Sequence, residues 1–254
     1  MHAKTEDVMK HGDLMRIMRC LLSVLACWVV LLTAHAEAET LPLPANLVAA
    51  SSDGGKSLLL GAEAREAYFT LSENFVTQQN QAFCGVASMV MVFNAMRLPA
   101  PPVPEFDPFR TFTQDNLLNA LTEAVLTRET IMKQGMTLDQ LGALLAVQPV
   151  SVSVHHAGDS SVDGFRTAAR DHLSRKDHFV LVNYLRKAIG QEKGGHISPL
   201  AAYDADTDRF LILDVARYKY PPVWVTTAEL FAAMNTPDSD NGNRTRGFVL
   251  ISKQ

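Results

Sequence analysis

Residues 78–94 pass from a polar run, Gln78-Gln79-Asn80-Gln81, into an apolar block long enough for a buried helix. Pro99, Pro101 and Pro102 close that block off. Further on, Leu138, Leu141, Leu144 and Leu145 recur at helical spacing behind Thr137, which predicts a capped helix over 137–147. Leu117, Leu118, Leu121 and Val125 predict another over 113–126, capped by Thr113 or Asp115. Residues 51–55 read as a turn, 58–69 have mixed helical character, and 162–175 read as a helix polar on one side. Then the period changes. Residues 150–155 alternate, and 179–185, 197–203, 209–215 and 248–251 are β-rich apolar runs, with a polar turn at 204–208. Helices come first and strands afterwards, with no strand–helix rhythm, so the fold class is α+β with an antiparallel sheet. No internal repeat, low-complexity segment or clear second domain interrupts the pattern.

Composition narrows the partners. The 254 residues are 47% hydrophobic and 20% charged with a net charge of −4, so no basic surface invites nucleic acid or an anionic membrane. Near the N-terminus, Arg16 and Arg19 precede a short apolar run over 20–34, followed by Ala34-His35-Ala36 and Ala36-Glu37-Ala38. Basic flank, apolar core and A-x-A ending predict a signal peptide over 1–38, cleaved after Ala36 or Ala38. The run is short for a membrane-spanning helix, so the mature domain, 39–254, is expected to be exported to the periplasm without a membrane span. Cleavage removes Cys20 and Cys27 and leaves Cys84 as the sole thiol. A single thiol forms no internal disulfide, and in an oxidising compartment an unused one is a liability.

That thiol stands in the first turn of a predicted buried helix, where unpaired backbone N–H groups and the helix dipole favour thiolate. Position alone leaves an inert core thiol as the ordinary reading, because free cysteine is among the most buried residue types. Two further residues change the balance. His196 follows Gly194-Gly195 at the start of one predicted strand, and Asp214 lies near the end of the next. For a turn centred on Ala205, the two face each other across the ladder and point to the same side. The carboxylate would then hold the imidazole's tautomer and stabilise its cation. Cysteine, histidine, aspartate is also the chain order of papain-like nucleophilic thiols. Gln78, upstream of the thiol, offers an amide that can donate to an oxyanion beside the Cys84 backbone N–H. No resident metal site is expected: His155 and His156 are strand neighbours facing opposite ways, and one cysteine makes no thiolate zinc centre.

Four segments carry a resemblance. Phe75-Val76-Thr77-Gln78, Phe83-Cys84-Gly85-Val86-Ala87-Ser88, Gly194-Gly195-His196-Ile197-Ser198-Pro199 and Leu213-Asp214-Val215-Ala216-Arg217-Tyr218-Lys219-Tyr220-Pro221-Pro222-Val223-Trp224 closely resemble the phytochelatin synthase family, within a match over about 43–252. The likeness is to the single-domain bacterial form, without the cysteine-rich second domain of the plant enzymes. Phe83 stands where the family is expected to carry tyrosine.

The resemblance implies a papain-like fold and glutathione as substrate. Cys84 would attack the Cys–Gly amide, release glycine and hold γ-Glu-Cys as a thioester, with His196 moving the proton and Asp214 orienting it. Water or a second glutathione would resolve the acyl-enzyme. Arg246 and Asp238 match family positions for the γ-glutamyl group and suit its carboxylate and ammonium. Asn183, Gly195 and Ile197 would be wall residues, and Arg217 and Tyr220 would serve the second substrate. No tightly bound cofactor is implied, although cadmium or zinc would promote activity as a metal–glutathione complex. Partners are then glutathione and γ-Glu-Cys peptides, with a homodimer as the one protein assembly to test. Two other functions compete: a periplasmic cysteine peptidase or amidase on other γ-linked peptides, and a non-catalytic binder of glutathione or metal–thiolate complexes.

Overall fold

The computed structural model describes residues 40–254; the expected signal peptide, 1–38, lies outside them. Along the chain the elements are β1 (Val48–Ala49), α1 (Asp53–Gly61), α2 (Glu66–Glu73), α3 (Cys84–Ala95), α4 (Ala120–Glu123), α5 (Arg128–Gln134), α6 (Leu138–Ala146) and β2 (Val150–His156). They continue with α7 (Val162–Leu173), β3 (His178–Leu185), β4 (Gly195–Asp204), β5 (Arg209–Ile212), β6 (Val223–Thr226), α8 (Thr227–Met234) and β7 (Gly247–Lys253). The strands form one antiparallel sheet in the order β1-β6-β5-β4-β3-β7-β2. The mixture of helices and antiparallel sheet is the one the residue pattern predicts. Among the described residues no helix is long and apolar enough to cross a membrane.

Burial follows sheet position. The six inner residues of β3 are all buried: helices α7 and α8 pack against this interior strand and against each other, and neither face of the strand is left open. By contrast, β2 at the sheet edge keeps exposed positions, as its alternating sequence requires. Helix α3 lies on β4 and buries every residue except Asn94, so it is apolar all round. Each of its Val, Met and Phe side chains gains about 1.5–3 kcal/mol on leaving water. Ser88 fixes its seat: the buried hydroxyl reaches Cys84 O at 2.8 Å and, on β4, Ile197 O at 3.2 Å. The α6 cap is as predicted, with Thr137 Oγ1 accepting from Gln140 N and Gln140 Oε1 accepting from Thr137 N.

Several expectations need correction. Residues 51–55 are a helix start and not a turn, since Ser52 Oγ accepts from Gly55 N and caps α1. The region 58–69 is two helices, broken between Gly61 and Glu66 where Ala64 pairs with Tyr203. Residues 113–126 are mostly irregular. Thr113 and Asn116 bond each other's backbone, and Asn119 caps only the single turn of α4. Leu121 and Val125 are 52% and 39% exposed in consequence. Helices α5 and α8 and strand β6 were not anticipated.

Candidate active site

Cys84 opens α3 directly after Phe83, and no side chain caps the helix. The helix start is therefore left for the sulfur. A Cβ at Gly85 would stand 2.4 Å from Met136 Sδ, so any larger residue there would have to displace the Met136 side chain. Burial would raise the thiol's pKa, yet it lies below its ordinary 9.0. A hydrogen bond with His196, the charge of that ring, and the backbone of Ile197 and Gly85 outweigh desolvation.

His196 is the second residue of β4, opposite Tyr184 of β3, whose ring meets the imidazole edge-on. Its Nε2–H donates to Asp214 Oδ1 at 2.8 Å, with Ser198 Oγ 2.9 Å from the same nitrogen. The expected ladder does not make this contact. Asp204 pairs with Arg209 and Tyr203 with Phe210, a bulge intervenes between Leu200 and Ala202, and β5 ends at Ile212. Leu213 N donates to Pro199 O, so Asp214 arrives beside Ser198 and reaches His196 diagonally. The two residues meet, but across an irregular strand exit.

Behind Asp214 stands a residue that sequence reasoning missed. Arg186, just past β3, donates to Asp214 Oδ2 at 2.7 Å and Oδ1 at 2.9 Å, and also to Gln191 Oε1. Its guanidinium lies over the Tyr220 ring. The Ala216 N–H adds a third kind of donor to the carboxylate. Although burial alone would raise the Asp214 pKa, His196 and Arg186 hold it well below the carboxylate range. The imidazole is raised above 6.5: burial pulls it down, and Asp214 more than restores it. Arg186, Asp214, His196 and Cys84 therefore form a buried row in which each group favours the opposite charge on the next. The only hint in the sequence was an arginine at the end of a largely apolar strand, where a buried charge needs a partner.

Cys84 and His196 open on a cavity of about 450 Å³, whose walls include Asn183, Gly195, Ile197, Asp238 and Arg246. Arg246 Nη1 donates to Pro237 O at 2.6 Å and Thr236 Oγ1 at 3.2 Å, while Nη2 lies 3.2 Å from Asp238 Oδ1. Its buried Nε has no partner among the described residues. A Cβ on Gly195 would sit 3.4 Å from that nitrogen, in van der Waals contact with it.

Other expected residues fall elsewhere. Gln78 Nε2 is directed to Asn80 O at 2.7 Å and Tyr218 Oη at 3.0 Å, while its buried Oε1 is unpartnered. Arg217 is exposed and stacks on Phe75, and Tyr220 is buried beneath Arg186 with its hydroxyl on Glu192 N. Neither lines the Cys84 cavity. His155 stacks on Phe248, whereas His156 turns inward to Asp139 and Thr245 O. Among the described residues no three His, Cys, Asp or Glu side chains are grouped to hold a metal ion.

Comparison with known proteins bears on the same region. A family model described as phytochelatin synthase matches residues 38–248. Two proteins of Lotus japonicus named glutathione gamma-glutamylcysteinyltransferase 3 and 1 are 35% and 37% identical over 85% and 84% of this chain, and 44% and 42% of their own lengths. One of Schizosaccharomyces pombe, named glutathione gamma-glutamylcysteinyltransferase, is 30% identical over 82% of the chain and 50% of its own length. The chain thus spans about half the length of these curated relatives or less.

Proposed function

The chain belongs to the phytochelatin synthase family, and from that kinship and the site geometry we propose that it is a glutathione γ-glutamylcysteinyltransferase with glutathione hydrolase activity. The observation that carries the reading is the alternating row Arg186–Asp214–His196–Cys84, ending at a cavity that presents both a carboxylate and an arginine. A helix-borne thiol against a sheet-borne imidazole is the papain-like arrangement, and we assign the fold to it.

In this reading the γ-glutamyl carboxylate meets the unpartnered Nε of Arg246, and its ammonium meets Asp238. Asn183, Gly195 and Ile197 wall the γ-Glu-Cys portion. The Cys84 thiolate attacks the Cys–Gly carbonyl, and His196 protonates the departing glycine nitrogen while Asp214 steadies the ring. Backbone N–H groups at the start of α3 take the oxyanion, and Gln78 joins them by turning Nε2 away from Tyr218. Water or the amine of a second glutathione then resolves the thioester. Cadmium or zinc enters as a glutathione complex, as substrate and not as a resident cofactor. Export to the periplasm belongs to the same reading, with the family match beginning at residue 38.

Incubating the protein with glutathione, with and without cadmium, and identifying products by mass tests this directly. Glycine, γ-Glu-Cys and longer γ-Glu-Cys peptides are expected. Cys84→Ala should abolish glycine release, by roughly a million-fold if the row acts as a unit, while glutathione binding survives. Undiminished release in that variant would sink the nucleophile assignment. Release of other γ-linked amides without any action on glutathione would favour an amidase instead.

A further inference from the structure

The loop that leads into Cys84 is held from outside itself. Gln78 N donates to Val215 O at 2.9 Å, on the chain just past Asp214. A single side chain then takes the residues on either side of Gln78. Gln114 Nε2 donates to Thr77 O at 3.0 Å, and Gln114 Oε1 accepts from Gln79 N at 2.9 Å. Gln114 is buried, so both ends of its amide are matched only through that loop. The segment carrying it is seated in turn against the residue before the thiol. Thr113 and Asn116 bond each other's backbone around Gln114. Arg128 Nη2 donates to Asp115 O at 3.2 Å and to Asp115 Oδ1 at 3.3 Å, while its guanidinium stands over the Phe83 ring, 5.5 Å from the centroid. The loop over 77–83 is thus gripped near both ends by residues 113–128.

We propose that Gln114 is a positioning residue for the oxyanion donor: it clamps Thr77 and Gln79 so that Gln78 presents its amide at the start of α3. The inference rests on the proposed function and extends it. There Gln78 turns Nε2 from Tyr218 Oη to the oxyanion, and such a turn places the amide accurately only if the backbone beneath it is fixed. Bonds at Thr77, Gln78 and Gln79 fix three consecutive residues, so their ordering is completed on folding and not at the transition state. Gln114 is not among the walls of the Cys84 cavity. It therefore acts through Gln78, and its contribution to the rate is bounded by that of the Gln78 amide.

Gln114→Leu keeps most of the side-chain volume and removes both bonds. With glutathione, its kcat for glycine release should fall about ten- to hundred-fold with KM within about three-fold, short of the roughly hundred- to thousand-fold loss of an oxyanion donor outright. Gln78→Ala should show that larger loss, and Gln78→Ala/Gln114→Leu should be no slower than Gln78→Ala alone. Alkylation of Cys84 by iodoacetamide, read by peptide mass, needs the thiolate but no oxyanion donor, so its rate in Gln114→Leu should stay within about two-fold and also reports that the variant is folded. Losses that multiply in the double variant, or alkylation that slows in step with kcat, would overturn the inference, because Gln114 would then support α3 or the fold at large. So would an unaltered kcat in either single variant. Each of these results leaves the glutathione reading standing, whereas absence of glycine release by the unaltered protein would overturn both.

Discussion

Two histidine–aspartate–arginine triples lie among the described residues, built from the same parts with the same 2.8 Å separation of imidazole and carboxylate. In one, His196 Nε2 meets Asp214 Oδ1 at 2.8 Å and Arg186 grips the carboxylate from behind. In the other, His156 Nε2 meets Asp139 Oδ1 at 2.8 Å and Arg244 Nη1 meets Asp139 Oδ2 at 2.9 Å. Burial separates them. The Asp214 side chain is fully buried, whereas those of Asp139 and Arg244 are 40% and 53% exposed. So does the far side of each ring: His196 faces a thiol, but His156 Nδ1–H donates to the Thr245 carbonyl. A carboxylate-oriented imidazole is therefore only a clasp unless a reactive atom meets its other nitrogen and water is kept away. The His156 clasp still matters, for it ties α6 and β2 to the residue preceding Arg246.

The strongest way to break the comparison is Asp214→Asn. Its activity should fall by up to roughly ten-thousand-fold, and unfolding in denaturant should show a loss of about 3–5 kcal/mol, because Arg186 is left buried and uncompensated. A full-strength fold would mean that Arg186 does not depend on Asp214. Arg246→Ala comes next. It should raise KM for glutathione about ten- to hundred-fold, the worth of a charge-assisted bond, with kcat changed far less; a kcat loss without a KM change would move Arg246 out of the binding wall.

Acidity sharpens the contrast further. The thiolate–imidazolium pair exists above the lowered Cys84 pKa and below the raised His196 pKa. A bell-shaped kcat/KM profile is expected, with its acid limb below pH 9.0 and its alkaline limb above 6.5. Asp214→Asn should draw the two limbs together. For stability the signs are opposite. Asp214, depressed on folding, contributes fully above 3.8 and loses its contribution as pH falls towards its folded value. His196, raised on folding, contributes fully below 6.5 and loses it as pH climbs through its folded value. The smallest effect belongs to Asp139→Asn, where screening limits the stability loss to less than about 1 kcal/mol. KM should then shift by no more than about three-fold as the Arg246 strand slackens; a loss matching that of Asp214→Asn would erase the distinction between the two triples.

The elements legible in advance were those with local signals: α6 with its Thr137–Gln140 box, α3 with its unbroken apolar run, and β3, β4 and β7 with their β-rich composition. Residues 113–126 misled because Leu117 and Leu118 keep helical spacing while Thr113, Asn116 and Asn119 bond nearby backbone instead. Asn94, capturing the Phe112 N–H and carbonyl, then pins that segment to the end of α3. Strand β6 and α8 did carry a readable signal, Thr226 followed by Glu229 with its carboxylate on the Thr226 hydroxyl, beyond Pro221-Pro222. The pairing of His196 with Asp214 was anticipated on a regular ladder, and the bulge at Leu200/Ala202 made a different path to the same contact.

By itself the sequence determined where a thiol meets a helix start, that a histidine and then an aspartate follow it, and the helical or extended habit of most segments around them. Those properties live within a few residues of one another, in spacing, caps and turns. Tertiary structure alone decided that Arg186, 28 residues before Asp214, stands behind that carboxylate, that Gln78 spends its amide protons locally, and that one histidine triple is sealed while its twin meets solvent. Which charges lose their water depends on chain segments distant in sequence packing over them, and no local pattern records that.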